Sequence, residues 1–309
     1  MNKCLIFGST GFIGSYLVDF LLQKKLDIYG TTYQQPEEEN RNYALYECDI
    51  RNKDHVEEVV TEIKPDCIFF LAAQSLVAPS FKDPEYTLRT NILGTLYLLE
   101  AARKARIDPL VEVFSSSAVY GINYENEIPI KENKEFRPVN PYAVSKIGTD
   151  MLAYMYWQTY KMKIIRVRPF NITGPRRTND VCSDFARRII EVEKERRKIV
   201  EVGNLEPVRD ITDIRDAVKA LWLLAEKGKH GEAYNLCTGR GYSVREILDK
   251  LMSLSSERIE IKQDASKMRP FDDVLQIGDN SKLREIGWKP EIPIEKTLAD
   301  MMDYWRDKK

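Results

Sequence analysis

Histidine is almost missing from this sequence: His55 and His230 are the only two among 309 residues. A mechanism or metal centre built on clustered imidazoles has no material here, so acid–base chemistry must come from other side chains. Net charge is missing too, with Lys+Arg 47 against Asp+Glu 48. That balance offers no electrostatic footprint for nucleic acid or a membrane surface. No apolar run approaches the roughly 20 residues that span a bilayer. The opening Met1–Gly8 stretch turns glycine-rich too soon for a secretion signal. Cys4, Cys48, Cys67, Cys182 and Cys237 are scattered without CxxC spacing. That pattern speaks against a zinc cage or disulfide framework and fits a reducing cytoplasm.

What is present is enough apolar material, 43% of residues, for a large core in one big domain or two unequal lobes. Short apolar runs at Cys4–Phe7, Leu26–Thr32, Tyr43–Glu47, Cys67–Leu71, Val111–Ser115 and Ile164–Arg168 read as strands. Several are apolar throughout, as strands covered on both faces must be. Amphipathic stretches over about 12–24, 52–63, 84–106 and 141–160 alternate with them and predict helices. Asn140-Pro141 opens the last with an N-cap and a proline at the first helical position. Such alternation implies an α/β fold with a doubly wound parallel sheet. Beyond residue 170 the texture changes. Asp184–Arg197 reads as a charged, solvated helix, and Gln34–Asn42 as a solvated acidic loop. Asp213–Lys229, Val244–Ser253 and Ile294–Trp305 predict further helices, and Ala233–Cys237 and Arg258–Lys262 strands. These pieces suggest a smaller C-terminal α/β lobe.

Gly8-Ser9-Thr10-Gly11-Phe12-Ile13-Gly14 directly follows the first strand and opens the first helix. Glycines allow a sharp turn and close backbone approach to a diphosphate, and the helix start offers unsatisfied N–H groups. With a strand before and a helix after, this is a dinucleotide-binding turn of the Rossmann type. The second strand ends in Gly30-Thr31-Thr32-Tyr33, without the carboxylate that would grip the ribose 2′-hydroxyl of NAD. Thr31 and Thr32 can donate hydrogen bonds there, so the cofactor is NADP or NAD with NADP favoured. Asp49, just after the third strand, can accept from the adenine amino group. The expected division is a dinucleotide-binding domain over residues 1–169, rejoined by segments near 209–237, and a mainly substrate-binding lobe over 170–309.

Tyr142 and Lys146 stand four residues apart and project from one helix face. An ammonium beside a phenol lowers its pKa from about 10 toward the working range. The phenol can then exchange a proton with a substrate oxygen. Ser116, at the end of the fifth strand, can hydrogen-bond the same oxygen. Strand carboxyl ends are where ligands sit in open α/β sheets. A cofactor-binding regulator without turnover is the alternative of another class; an intact Ser116, Tyr142 and Lys146 set argues against it.

Over nearly its whole length the chain resembles the extended short-chain dehydrogenases/reductases. More narrowly it is similar to the branch of GDP-mannose 4,6-dehydratases and GDP-4-keto-6-deoxy-D-mannose reductases. The matching stretches are Leu71–Ser75, Thr90–Thr95, Pro141–Lys146, Arg168–Asn171, Val202–Leu205, Val208–Asp210, Arg269-Pro270 and Gly287–Pro290. The resemblance extends the cofactor set to Ile50, Leu71, Ala72 and Ala73. It implies substrate contacts at Ser117, Asn171, Phe185, Arg188, Arg209 and Arg269, the last two arginines toward a nucleotide's phosphates. It also implies a sugar-nucleotide substrate, a GDP-linked one, and a homodimer through a four-helix interface. Three reactions share this machinery. The dehydratases need a carboxylate two residues after the catalytic Ser/Thr to take a carbon-bound proton; Ala118 stands there and cannot accept it. Ser75–Pro84 and Glu201–Asp213 look most like the reductases, Phe114–Gly121 like the sugar-nucleotide 4-epimerases, and Pro175-Arg176-Arg177 like the dehydratases. The reading is reduction of a C4 ketone, with 4-epimerisation as the alternative.

Overall fold

The computed structural model describes residues 1–33, 42–194, 199–265 and 275–308. The first half runs β1 (Lys3–Phe7), α1 (Phe12–Gln23), β2 (Asp27–Thr32), β3 (Ala44–Glu47), α2 (Lys53–Ile63), β4 (Cys67–Phe70), α3 (Val77–Lys82), α4 (Pro84–Leu88), α5 (Gly94–Lys104), β5 (Leu110–Phe114), α6 (Pro141–Tyr160) and β6 (Ile164–Pro169). Then follow β7 (Asn171–Thr173), α7 (Val181–Glu193), β8 (Ile199–Val202), β9 (Val208–Asp213), α8 (Ile214–Lys227), β10 (Ala233–Leu236), β11 (Gly241–Ser243), α9 (Val244–Met252), β12 (Glu260–Gln263), β13 (Leu275–Gln276), α10 (Ser281–Glu285) and α11 (Ile294–Asp307).

The central sheet has seven strands in the order β10-β6-β5-β4-β1-β2-β3, and every pairing is parallel. This is the strand order of the Rossmann fold, extended by β10 at one edge. Along β1, Cys4 and Ile6 join a core with α1 and α8, while Leu5 and Phe7 join one with α2, α5 and α6. Both faces are thus covered, which explains why β4, and β1 after Lys3, read as continuous apolar runs. A third core unites α7, α9 and α11 with β8. Around it lie the small β11-β9-β13 sheet, with β7 on β9, and the β8-β12 pair.

Most expected elements appear within a residue or two. The helix expected over 84–106 runs without a gap from Pro84 to Lys104, with its middle turn, Arg89–Leu93, widened to π-helical between α4 and α5. The widened turn leaves the Asn91 carbonyl to accept from two side chains, Thr95 Oγ1 at 2.7 Å and Thr149 Oγ1 at 3.1 Å. The helix expected from Asp184 begins earlier, at Val181, because Asp180 caps it by accepting from the Ser183 N–H at 2.8 Å. The Gly287–Pro290 stretch fixes the C-terminal segment to α8: Trp288 Nε1 donates to the Asp216 carbonyl at 3.0 Å. The acidic loop lies almost wholly outside the described residues.

Candidate active site

The glycine turn has the shape its sequence demands. Gly8 takes φ +81°, and a Cβ there would sit 3.1 Å from the Ala72 backbone. At Gly14 a Cβ would lie 2.2 Å from the Gly8 carbonyl oxygen, so only glycine lets α1 approach β1 this closely. Thr10 and Gly11 are exposed at the tip, Phe12 and Ile13 half-buried behind it. Gly11 caps α1 without a side-chain hydrogen bond, leaving the helix-start amides open toward the turn. Leu71, Ala72 and Ala73, half-buried, follow β4 beside this turn. Buried Ile50 packs where a Cβ on Gly94 would intrude, at 2.9 Å.

At the end of β2 the structure corrects the sequence reading. Thr31 is only 1% exposed. Its hydroxyl accepts from the Gly8 N–H at 3.2 Å, so it holds the turn rather than facing a ribose. Thr32 is buried too, with its hydroxyl 3.2 Å from that of Thr10. Asp49 is gripped by Arg51 on both oxygens, at 3.0 Å and 2.7 Å, and this pairing holds its carboxyl below the ordinary value. Arg51 also donates to the Tyr33 hydroxyl at 3.0 Å and lies over the Tyr33 and Tyr86 rings. A cation therefore stands beside the end of β2, supplied by residue 51 rather than by a sequence neighbour of Thr32.

Helix α6 carries the proposed proton donor. Asn140 accepts from the Ala143 N–H at 2.8 Å, and Pro141 occupies the first turn. Tyr142 is half-buried and Lys146 buried. The Lys146 amine donates to the Phe114 carbonyl at the end of β5, 2.8 Å away, and burial lowers its pKa to about 8. Ser116 follows β5; its Oγ accepts from the Ala118 N–H at 3.1 Å and its hydroxyl meets the Tyr142 phenol. Burial raises the phenol's pKa, opposed by the Ser116 hydrogen bond and the charge of Arg177. Sequence reading assigned that electrostatic help to Lys146 and overlooked Arg177. Ser117 is buried in the 3-10 turn that starts with it.

Two side chains outside the predicted set hold α6 in place. Asn91 donates to Ser145 Oγ at 2.8 Å and to the Gln74 carbonyl at 2.9 Å, and accepts from the Gln74 N–H at 2.8 Å. Asp150, one turn beyond Lys146, is fully buried between Arg166 (2.6 Å) and Arg168 (2.8 Å) of β6. Burial alone would raise its carboxyl, but the two guanidinium groups outweigh that and hold it low. Arg168 continues to the Tyr120 hydroxyl at 3.0 Å, and Tyr120 to Asn235 of β10 at 2.6 Å. The signal for Asn91 was its place in the Thr90–Thr95 stretch; Asp150 carried none.

The second-lobe candidates divide. Asn171 is exposed, its amide donating to the Asp210 carbonyl at 3.1 Å. Arg209 is half-buried on β9. Phe185 is 4% exposed inside the third core, so its ring packs against Ile189 and its neighbours rather than facing a ligand. Arg188 is engaged by Asp184 at 3.0 Å and by the Glu201 carbonyl, which fastens α7 to β8. Arg269 lies outside the described residues.

A glycine-built turn at the switch point of a parallel sheet, together with Ser116, Tyr142 and Lys146 gathered at the end of β5, is the pattern of an extended short-chain dehydrogenase/reductase. The family described as "GDP-mannose 4,6 dehydratase" matches residues 5–301, and the chain belongs to it. A GDP-6-deoxy-D-mannose reductase of Pseudomonas aeruginosa is 30% identical over 99% of this chain and 98% of its own. The structure of RMD from P. aeruginosa complexed with NADPH is similar with TM-score 0.88 and 30% identity, covering both chains completely. The Thermus thermophilus UDP-glucose 4-epimerase in complex with NAD has TM-score 0.90 and 28% identity over 99% of each chain.

Proposed function

We propose that the protein reduces the C4 ketone of a GDP-linked 4-keto-6-deoxy-hexose with NAD(P)H. The observation that carries this is the Tyr142 phenol paired with the Ser116 hydroxyl, while Ala118 occupies the position where a dehydratase needs a base. Gly8, Gly11 and Gly14 shape a turn that any Cβ would obstruct, which fits a dinucleotide's diphosphate. Thr10, Phe12, Ile13, Ile50 and Leu71–Ala73 would complete that cofactor site. Bound NAD(P)H supplies the hydride for C4. Ser116 polarises the ketone oxygen and Tyr142 delivers the proton to it. Lys146, held at the Phe114 carbonyl, ties the helix face from which Tyr142 projects to the end of β5. The absence of a carboxylate at the end of β2 and the cation of Arg51 beside Tyr33 favour NADP over NAD.

By the family resemblance, Ser117 and Asn171 would meet the sugar and Arg209 and Arg269 the phosphates of the sugar nucleotide. Residues 1–169 with the 209–237 return would hold the cofactor, and the rest of 170–309 the substrate. The outer face of α6 leaves Val144, Met151 and Met155 exposed at helical spacing, which suits a homodimer through paired α5 and α6 helices. The five cysteines are free and buried, which suits a reducing cytoplasm. Among the described residues no helix is long and apolar enough to cross a membrane.

A second reading, 4-epimerisation of a sugar nucleotide, is favoured by the Phe114–Gly121 stretch and the likeness to the Thermus epimerase. The deciding experiment supplies GDP-4-keto-6-deoxymannose with NADPH or NADH and follows cofactor absorbance, with GDP-mannose alone followed by NMR in parallel. Loss of reduced cofactor, about 10²–10⁴-fold slower in Tyr142→Phe, is the expected outcome. An epimer without net redox, or a 4-keto product from GDP-mannose, overturns it.

A further inference from the structure

Between Ser116 and Tyr142 the chain makes a long detour. It leaves the 3-10 turn at Gly121 and comes back toward α6 through Arg137. The two ends of this strap pass in contact. Gly121 takes φ +54°, and a Cβ there would lie 1.6 Å from the Arg137 carbonyl oxygen. The Arg137 N–H donates to the Val119 carbonyl at 3.2 Å. Any shift of the strap therefore acts on both catalytic candidates. Lys134 holds its outer part together, donating to the Ile122 carbonyl at 3.2 Å, to Asn123 at 2.8 Å and to Glu127 at 2.6 Å.

The middle of the strap is fastened elsewhere. The Ile130 N–H donates to the Ile277 carbonyl at 2.9 Å, and the Ile130 carbonyl accepts from the Asp279 N–H at 2.8 Å. This segment follows β13, whose Gln276 pairs with Arg209 of β9. Asn235 of β10, fully buried, joins the strap to the turn that carries Ser116. Its Nδ2 donates to the same Ile130 carbonyl at 2.8 Å, its Oδ1 accepts from the Tyr120 hydroxyl at 2.6 Å, and its N–H donates to the Glu132 carboxylate at 2.9 Å. A carbonyl can only accept, so the amide nitrogen must face Ile130 and the amide oxygen is left for the phenol. Arg168 donates to the Tyr120 oxygen at 3.0 Å, which commits the phenol's own proton to Asn235. Burial pushes the Tyr120 phenol up, so it stays a donor. Tyr120 closes the turn that Ser116 caps. One buried amide thus sets where that turn lies against the strap.

We propose that Asn235 is a positioning residue: through Tyr120 on one side and Ile130 on the other, it holds the Ser116 hydroxyl on the Tyr142 phenol. The inference rests on the roles proposed for Ser116 and Tyr142, not on which sugar is reduced.

The test uses the full chain with Asn235→Leu, which removes both side-chain bonds at similar shape, and Tyr120→Phe, which removes one. Tyrosine isotopically labelled at Cζ lets NMR read the hydrogen bonding of the Tyr142 phenol without turnover, its signal identified by Tyr142→Phe. Both variants are expected to move that signal. In Asn235→Leu, kcat should fall roughly 10–100-fold, the cost of misplacing a reacting group by about 1 Å. The KM for the sugar nucleotide and the NADPH affinity should stay within about twofold of the parent. The double variant should lose no more than Asn235→Leu alone, because both residues lie on one path. An unchanged Tyr142 signal in Asn235→Leu, with only the melting temperature lowered, overturns the inference, as does a loss confined to KM. If Asn235→Leu does not fold, Tyr120→Phe decides alone: an unmoved Tyr142 signal refutes the link and a moved one supports it. A parent protein that binds NADPH yet leaves the 4-keto sugar untouched removes the proposed reaction, while the Tyr142 signal still decides the role of Asn235.

Discussion

Glu112 lies in the middle of β5, between Phe69 of β4 and Ile165 of β6, and is wholly buried. Neither carboxyl oxygen has a hydrogen-bond partner among the described residues. Burial raises its pKa well above the ordinary value, so the fold holds this proton to higher pH than the unfolded chain does. The unfolded chain therefore binds fewer protons, and stability falls as pH rises above the unfolded carboxyl range. Glu112→Met, similar in size and uncharged, is expected to unfold at higher denaturant than the parent. The gap should widen from pH 5 to pH 8, by up to ~1.4 kcal/mol per pH unit. Denaturation curves at both values check this, and a gap that stays constant contradicts it. The same scale governs the site. Tyr142 feels Ser116 and Arg177 against its own burial, and the residue two positions after Ser116 is Ala118, which carries no acid–base group.

Helix α6 is where local sequence and long-range contact meet. Its start is capped by Asn140 and its buried face is fixed by Asp150 between Arg166 and Arg168. Removing one charge from a buried cluster leaves the others uncompensated, which costs about 3–5 kcal/mol. Asp150→Asn is expected to lose that much stability in chemical denaturation and to lower kcat more than KM, since Tyr142 and Lys146 shift with the helix. Stability equal to the parent's would show that the cluster does not hold α6. The π-helical turn at Arg89–Leu93 serves the same helix from its other side, through Asn91. The spacing of apolar residues over 84–106 is continuous, so the widened turn was not visible there; only the bonds from Thr95 and Thr149 to the Asn91 carbonyl mark it.

At the scale of the whole molecule, the exposed stripe of Val144, Met151 and Met155 on α6 is an apolar face that no element among the described residues covers. A second copy would cover it. Met151→Asp with Met155→Asp is expected to convert a dimer to a monomer in light scattering after size exclusion, with cofactor binding retained. An unchanged mass would rule out this face. The sheet's seventh strand is also a whole-molecule fact. β10 returns beside β6 after β7, α7, β8, β9 and α8, and Asn235 then reaches Tyr120 next to the serine-rich strand end.

Much of this was decided locally. The glycine spacing at 8, 11 and 14, the apolar runs of the strands, the Asn140-Pro141 cap and the one-turn spacing of Tyr142 and Lys146 each act between near neighbours in sequence. Backbone sterics, capping and helical period therefore determined them without reference to the rest of the chain. Tertiary structure alone decided which polar groups are consumed and which remain available. It buried Thr31 behind Gly8, set Arg51 against Asp49, packed Phe185 into a core and gave Arg176 a carboxylate partner that Arg177 lacks among the described residues. These outcomes depend on desolvation and on partners distant in sequence, and no local pattern encodes them.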